Sequence, residues 1–370
     1  MHETVARSRD FFIVSAVPAA KLTDVMTGII LMNLGSPAQP TSGPVRRYLR
    51  QFLSDPRVID IPALGRWLLL NLVILPFRPG KTAALYRKIW RETEPGSPLI
   101  HYSFTLARAV EDRLKAAGGD YRVKTAMRYG EPSLDSVFAA LDAEGVTRVK
   151  VLPLYPQYAA ASTGTGIAEA YAAAARLWNV AALEVVHSFF DHPGYIANLA
   201  DLARRSIDDF EKSAGAGVDH VLFSFHGIPE RQIQKSDPFG ECLASSGCCD
   251  HPRALATCYR AQCFATARAA ARSMGLKEDE FSVSFQSRLG RTPWIKPYTD
   301  ELMPELVQRG VKRLAVISPS FVADCLETLE EIAMQGRETF LEAGGESFLY
   351  IPCLNDDPAW VRTVTDMVQD

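Results

Sequence analysis

The segment DHVLFSFHGIP (residues 219–229) indicates the fold, because its apolar run ends at a histidine that is followed by a glycine and a proline. An unbroken apolar run is typical of a strand that is covered on both faces of a parallel sheet. The segment LMNLGSP (31–37) aligns with FSFHGIP (223–229) and keeps the glycine and the proline, with Leu34 in place of His226. The turn therefore does not require an imidazole, and His226 becomes a candidate for chemistry.

Two further pairs of segments repeat in the same order along the chain. GVTRVKVLPLY (145–155) aligns with GVKRLAVISPSF (310–321), and YRVKTAMRYGEP (121–132) aligns with FSVSFQSRLGRTP (281–293). Chance similarity among strands is the alternative explanation, and the shared order disfavours it. The chain is therefore predicted to contain two copies of one α/β unit, with the boundary near 180–195.

Strand-like runs alternate with helical patterns, which predicts α/β lobes with parallel sheets and right-handed crossovers. The predicted strands cover 28–35, 121–130, 148–155, 181–188, 219–227, 281–290, 313–321 and 347–352. The predicted helices cover 133–143, 165–178, 195–212, 255–274, 299–309 and 325–341.

The predicted organisation has four parts. They are a disordered tail over 1–26, a first lobe over 27–185, a second lobe over 186–345 with a cysteine-rich insert at 240–263, and a C-terminal strand and helix over 346–370 that pack back between the lobes.

Composition limits the partners and the compartment. A chain of 370 residues is long for one core and suits two lobes. A net charge of −3 argues against a nucleic-acid partner, which requires a basic surface. No apolar run reaches the about 20 residues of a membrane-spanning helix, and the N-terminal segment resembles a signal peptide only weakly because Glu3 lies at its start. The cytoplasm is therefore the predicted compartment.

Ligands of parallel α/β sheets bind beyond the carboxyl ends of the strands. The residues predicted at these ends are mostly aromatic or amphipathic: Asn33, Arg128, Tyr129, Tyr155, His226, Gln286, Ser287, Arg288 and Phe321. Two facing lobes would bring them to one cleft, which suits a large, flat, apolar ligand with a few polar groups.

The segment FVADCLETLEEIA (321–333) adds carboxylates next to this cleft. On a helix, Glu327 and Glu331 share one face at i and i+4, and Asp324 lies on the adjoining side. This spacing allows two interpretations: the acids form a solvated row on the protein surface, or they form an acidic wall of the cleft. The position directly after a cleft strand favours the wall, where the positive N-terminal end of a helix would stabilise the acids.

Five of the seven cysteines crowd into one stretch: Cys242, Cys248, Cys249, Cys258 and Cys263. Cytoplasmic thiols stay reduced, so such crowding indicates a metal site before disulfides. Zinc and a [2Fe–2S] cluster each take four cysteines, and the spacing matches no common zinc pattern. A flexible loop of free thiols is the third alternative.

Four motifs resemble those of the ferrochelatases, in particular the bacterial members, and occur in the family's order over roughly 28–356. They are SFHGIP (224–229), LPLYPQY followed by STG (152–158 and 162–164), FQSRLGRTPWIKPYTDE (285–301) and CLETLEE (325–331). The resemblance implies the chelatase fold, which is two similar α/β lobes around a porphyrin cleft. It also implies a lyase that inserts Fe²⁺ into protoporphyrin IX and forms protohaem.

The resemblance implies that His226 and Glu327 face each other across the cleft. His226 would take the pyrrole protons on one face of the ring, and Glu327 would bring in Fe²⁺ or carry protons away on the other, with Asp324 and Glu331 as an acidic track. Cys325 departs from members that have a histidine there. Together with the strand ends, the substrate-binding candidates are Met32, Arg87, Lys88, Arg128, Tyr129, Tyr155, Gln286, Ser287, Trp294 and Phe321.

The apolar segment LGRWLLLNLVILPF (64–77) has 14 residues, which is too short to span a bilayer. A buried core helix is one alternative, and the resemblance implies a hydrophobic lip around the pocket. Arg78, Lys81, Arg87 and Lys88 could then meet porphyrin propionates or anionic lipid headgroups. Peripheral membrane association is the expectation that follows.

Some ferrochelatases carry a [2Fe–2S] cluster, so the resemblance favours a cluster over zinc. The predicted ligands are Cys242, Cys248, Cys249 and Cys258, and the competing fourth ligand is Cys263, because relatives without a cluster can keep a cysteine there. A cluster outside the porphyrin cleft would be structural or redox-sensing.

Three other functions stay as alternatives. A chelatase for cobalt or nickel with another tetrapyrrole, or for coproporphyrin, would share the fold, whereas a non-catalytic porphyrin or haem carrier would not need a base opposite an acid. The predicted partners are a porphyrin and a membrane surface, with no nucleic acid, and the chain is expected to be a monomer or a homodimer.

Overall fold

The computed structural model describes residues 26–245, 247–290 and 292–369, so the predicted tail lies outside the described residues except for Met26. Two parallel four-stranded sheets form the framework. The first has the order β2-β1-β3-β4 and consists of β1 (Thr27–Asn33), β2 (Tyr121–Met127), β3 (Arg148–Pro153) and β4 (Ala182–Val185). The second has the order β6-β5-β7-β8 and consists of β5 (His220–His226), β6 (Phe281–Gln286), β7 (Arg313–Ile317) and β8 (Ser347–Tyr350).

The two sheets confirm the internal repeat, because β5–β8 take the same order as β1–β4. All eight predicted strands are present, and the α/β fold class is confirmed. Pairing with β3 and β7 makes Leu34 the counterpart of His226, whereas pairing with β2 and β6 makes Met32 its counterpart. Either comparison puts an apolar side chain where the second lobe has an imidazole.

Helices cover the sheets, as parallel strands require. They are α1 (Ser42–Ser54), α2 (Ala63–Leu68), α3 (Leu75–Ile89), α4 (Pro98–Ala116), α5 (Leu134–Ala143), α6 (Thr165–Ala175), α7 (Pro193–Ala214), α8 (Glu230–Lys235), α9 (Ala254–Thr257), α10 (Tyr259–Met274), α11 (Thr299–Gln308), α12 (Leu326–Leu329), α13 (Arg337–Glu342) and α14 (Pro358–Gln369). Three π-helical segments (Leu69–Ile74, Ala160–Gly164 and Glu331–Gly336) and a 3₁₀ turn (Cys248–Asp250) accompany them.

The predicted helices are present, but two are divided. The 255–274 helix breaks at Cys258, and the 325–341 helix becomes α12, a π-helical segment and α13. The strand and helix pattern does not predict α1 or α4, whereas α14 is the helix expected within 346–370.

The apolar segment 64–77 lies in a longer helix than its apolar length suggests. α2, the π-helical segment and α3 form one continuous helix from Ala63 to Ile89, which has 27 residues. By length and composition it is the one helix in the described part of the chain that could cross a membrane. The expectation that this segment is too short to span is therefore wrong for the helix, because the chain stays helical through the charged residues after Phe77.

One apolar core lies between the two sheets. Leu31 of β1, Phe223 of β5 and Trp360 of α14 are all fully buried in it. β8 is an edge strand of the second sheet, while α14 packs against α4 and α7. The C-terminal helix therefore fills the space between the lobes, and the C-terminal strand completes the second sheet instead.

Candidate active site

His226 is the last residue of β5 and lies partly exposed at the carboxyl end of the second sheet. Its Nδ1 lies 2.6 Å from the carbonyl oxygen of Gly227. Since a carbonyl can only accept, Nδ1 carries the proton and Nε2 keeps its lone pair. A side chain at Gly227 would lie 2.9 Å from the Gln286 carbonyl oxygen, so this turn needs a glycine.

The surroundings of His226 keep its imidazole neutral. Burial lowers the pKa of His226, and the negative charge of Glu327 only partly opposes this shift. The imidazole lies between two aromatic rings, with centroids 6.2 Å from Phe321 and 6.4 Å from Trp294. A neutral imidazole with a bare Nε2 is competent to accept a proton at neutral pH.

Glu327 lies in the first turn of α12, and its negative charge acts on the imidazole of His226. A capping box holds this turn: the Cys325 N–H donates to Thr328 Oγ1 (2.9 Å), and the Thr328 N–H donates to the Cys325 sulfur. The buried Cys325 thiol also lies against the Glu327 carboxylate, whose charge helps burial to raise the pKa of the thiol. The cysteine in place of a histidine thus contacts the acid directly.

Two tyrosines near Glu327 were not predicted. Tyr48 of α1 and Tyr86 of α3 are buried, which raises the pKa of both phenols, and the charge of Glu327 raises them further. They lie in helices without a recognisable motif. The basic pair that follows Tyr86 was the only sequence signal near either of them.

Glu331 is held by residues that were expected to bind substrate. Its Oε1 accepts the N–H of Ser287 at 2.6 Å, and its Oε2 accepts the Ser287 hydroxyl at 2.5 Å. Ser287 has a φ of 67°, a left-handed conformation that costs a serine free energy and aims both donors at the carboxylate. Gln286 donates to the carbonyl oxygen of Glu327 (2.7 Å). The end of β6 therefore positions the two acids.

Asp324 does not lie on a helix beside Glu327 as predicted, because it precedes α12 in the loop after β7. Asn355 Nδ2 donates to its Oδ2 at 2.7 Å, and the Tyr350 hydroxyl donates to its Oδ1 at 2.5 Å. Thr328 and the Cys353 N–H also donate to Oδ1. These four donors favour a structural role for Asp324 over a place in an acidic track.

Arg128 is likewise bound within the first lobe. Its Nη2 donates to Asp55 Oδ2 (2.7 Å), and its Nε donates to Thr165 Oγ1 (3.0 Å). Asp55 also accepts the hydroxyl of Tyr129 at 3.0 Å and that of Thr165. Burial opposes ionisation of Asp55, but these hydrogen bonds outweigh it and lower its pKa.

The other candidates differ in exposure. Met32 is fully buried in the first lobe, and Tyr155 is buried with a hydroxyl that has no partner among the described residues. Lys88 donates to Glu330 Oε1 at 2.7 Å, so its ammonium is paired within the protein. Arg87 is exposed, so it is the one of these two basic residues that could bind a propionate.

The four predicted cysteine ligands lie together around the start of α10. Hydrogen bonds connect the thiols of Cys242 and Cys249 to the sulfur of Cys258, and the sulfurs of Cys248 and Cys249 are 4.0 Å apart. The bond from Cys249, helped by Cys242 and by N–H groups at the start of α10, lowers the pKa of Cys258 to about 6. Cys263 instead contacts Tyr259 and is fully buried.

The sulfur geometry suits pairs better than a single ion. Within the described ranges, no three His, Cys, Asp or Glu side chains converge in a way that could hold one metal ion. Two thiolates on one tetrahedral metal, each at about 2.3 Å, lie about 3.8 Å apart. The 4.0 Å between Cys248 and Cys249 fits such a pair. One pair of the four thiols therefore has the spacing of two ligands on one metal ion.

The protein is of the α/β class with two parallel four-stranded sheets, and the second sheet ends at an imidazole on which the charge of Glu327 in α12 acts. The family model for ferrochelatase matches residues 26–370. The chain therefore belongs to the ferrochelatase family, the lyases that insert iron into protoporphyrin to make haem, and this is the reaction that it catalyses.

Curated relatives agree over nearly the whole chain. The chain is 46% identical over 338 residues to the ferrochelatase of Ectopseudomonas mendocina (strain ymp), which covers 91% of this chain and 95% of that one. It is 41% identical over 359 residues to the ferrochelatase of Coxiella burnetii (strain Dugway 5J108-111), which covers 96% and 97%. Among solved structures it is similar to SirB from Bacillus subtilis with Fe³⁺, with 12% identity, a TM-score of 0.49, and 93% and 95% coverage.

Proposed function

We propose that His226 is the base that accepts the pyrrole protons and that Glu327 is its acidic partner in this reaction. The hydrogen bond from Nδ1 to Gly227, which leaves Nε2 as an acceptor, is the observation that carries the proposal. Insertion exchanges two pyrrole N–H protons for one Fe²⁺, the substrate metal. One imidazole takes one proton at a time and must pass it on before it takes the second. Glu327, the carboxylate whose charge acts on the imidazole, is the acceptor or the Fe²⁺ ligand on that path.

The test is His226→Ala, with His187→Ala as the matched control, because His187 is exposed and stacks only on Tyr158. We expect the His226 variant to lose at least about 100-fold in kcat, the typical contribution of a general base, while it still binds porphyrin. Metal insertion with Fe²⁺, Co²⁺, Ni²⁺ and Zn²⁺ would be followed by quenching of porphyrin fluorescence. Full turnover by His226→Ala would refute the assignment.

We propose further that Cys242, Cys248, Cys249 and Cys258 hold a [2Fe–2S] cluster. Such a cluster would supply one-electron redox chemistry and a crosslink of this loop. The chain's own contribution is a set of donors to sulfur: the Leu243 N–H donates to Cys248 (3.4 Å), and Arg260 donates to Cys249 (3.6 Å). Protein purified without oxygen should show iron and visible charge-transfer bands. Zinc in place of iron, or no bound metal, would refute the proposed cluster.

We propose finally that the helix Ala63–Ile89 is a lip that contacts a membrane surface without crossing it. Leu64, Trp67, Leu72 and Phe77 are each more than half exposed. The buried side of the helix, including Leu75, packs against α1 and so belongs to the folded lobe. Membrane attachment at the surface fits both sides of the helix.

The positive charge of the segment around the lip also supports binding to a membrane surface. Residues 42–91 contain ten Lys or Arg and only two Asp, whereas the whole chain has a net charge of −3. Anionic lipids attract such basic segments by about 1 kcal/mol for each cation near the surface. Trp67→Ser with Phe77→Ser should weaken binding to phosphatidylserine vesicles, while Trp178→Ser, which changes an exposed tryptophan of the same lobe, should not. Equal binding by the unmodified protein, the double variant and Trp178→Ser would contradict the proposal.

A further inference from the structure

At His226, β5 extends beyond the end of β7, which is its neighbour on one side. β7 pairs with β5 only as far as Ile317, opposite Phe223. Alternate residues of a parallel strand direct their N–H and C=O groups to opposite neighbours. The N–H groups of Val221 and Gly227 donate to the β6 side, at Glu280 and Gln286. The N–H and C=O of His226 therefore point to the β7 side, where β7 has already ended.

Two side chains take the place of the missing strand. The His226 N–H donates to Ser320 Oγ at 3.1 Å, and the Tyr259 hydroxyl donates to the His226 carbonyl oxygen at 2.8 Å. The hydroxyls of Tyr259 and Ser320 are 2.9 Å apart. Because the proton of Tyr259 is used on the carbonyl, Ser320 must donate to Tyr259. The three residues form a closed ring in which each hydroxyl accepts one hydrogen bond and donates another.

This ring fixes the peptide units on both sides of the catalytic side chain. Tyr259 is buried, and its hydroxyl lies 2.8 Å from the His226 carbonyl oxygen. The Gly227 carbonyl, which sets the tautomer of His226, follows directly in the chain. A shift of the His226 backbone would therefore change the direction of Nε2 and the length of the Nδ1 hydrogen bond together.

We propose that Tyr259 and Ser320 are positioning residues for His226, and that the rate of metal insertion depends on the ring that they close. The inference rests on the proposed role of His226 as the base. Neither residue touches the reacting atoms. Their effect belongs to the chemical step, since misplacement of a catalytic group lowers kcat even when the substrate binds normally.

The test compares Tyr259→Phe and Ser320→Ala with Ser320→Thr and Thr266→Val. The first two remove one hydroxyl each from the ring, and we expect each to lower kcat about tenfold, with the KM for porphyrin unchanged within about twofold. Ser320→Thr keeps a hydroxyl and should restore most of the rate. Thr266→Val removes a buried hydroxyl from the same helix, where it donates to the Phe190 carbonyl oxygen, and should lower stability without lowering kcat.

A double variant that lacks both hydroxyls provides a second test of the proposal. Since both hydroxyls belong to one hydrogen-bonded ring, Tyr259→Phe with Ser320→Ala should lose little more than the worse single variant. Unchanged kcat in both single variants would overturn the positioning role. So would an equal fall of kcat in Thr266→Val, which would show a general effect of stability. Full activity of His226→Ala would instead refute the proposed function. If Tyr259→Phe does not fold, Ser320→Ala and Ser320→Thr decide alone.

Discussion

At the residue scale, the environment of His226 balances two opposed effects. Burial lowers the pKa of the imidazole, and the carboxylate of Glu327 raises it by stabilising the imidazolium. The balance lies below the ordinary value of about 6.5. The base is therefore unprotonated at neutral pH, and activity should fall only when the pH drops through the lowered pKa of His226.

Glu327→Gln should lower the pKa of His226 further, because it removes the negative charge that stabilises the imidazolium. The measurement is an NMR titration of the His226 ring, in which the midpoint should move to lower pH. Glu331→Gln is the matched control, since Ser287 binds Glu331 and its charge is not among those that act on His226. A midpoint that stays in place in Glu327→Gln would show that the two groups do not interact.

The sequence predicted which residues matter better than what they do. His226 could be found because its motif ends β5, and Glu327 because its motif begins the helix that follows β7. Arg128 and Gln286 were also found, but their partners Asp55 and Glu331 are 73 and 45 residues away. Such pairings depend on tertiary packing, which strand patterns do not reveal. Hence the sequence does not show that two residues predicted to bind substrate, Arg128 and Gln286, also bind side chains of the protein itself.

At the element scale, α10 joins the cysteine group to the histidine. Cys258 is its N-cap, and Tyr259, its first residue, holds the His226 carbonyl. The sequence pattern predicted one helix over 255–274, since the apolar spacing continues through Cys258. The chain instead breaks there, and the N–H groups of the new helix end bind the Cys258 sulfur, which favours its thiolate.

The proposed cluster predicts that Cys258→Ser lowers the iron content and the visible absorption of the protein, because this sulfur contacts both Cys242 and Cys249. Cys263→Ser should keep both signals, since Cys263 lies one turn further along α10 against Tyr259. Iron content and absorption of protein purified without oxygen are the measurements. Loss of iron in Cys263→Ser, with retention in Cys258→Ser, would reverse the ligand assignment.

At the scale of the whole molecule, salt bridges tie both ends of the lip to the second lobe. Before the lip, Asp60 accepts Arg231 Nε (2.6 Å) and Lys235 Nζ (2.7 Å) from α8, the helix that follows the His226 turn. At the other end of the lip, Lys88 in the last turn of α3 binds Glu330, which adjoins α12. The lobes repeat each other in sequence, but these contacts join unlike elements, so the repeat could not predict them.

The Lys88–Glu330 pair should be worth more than an ordinary surface pair, because the Glu330 side chain is only 2% exposed. Lys88→Met would leave a buried carboxylate with Gln335 as its remaining side-chain partner, at a cost of about 1–3 kcal/mol. A double-mutant cycle with Glu330→Gln, read by urea unfolding, gives the coupling energy. The exposed pair Lys212–Asp209 is the control, with an expected coupling of at most about 0.5 kcal/mol. If both cycles give the same small coupling, the lip is not anchored through Glu330, and the Asp60 salt bridges with the apolar contacts of the lip must hold it against the rest of the protein.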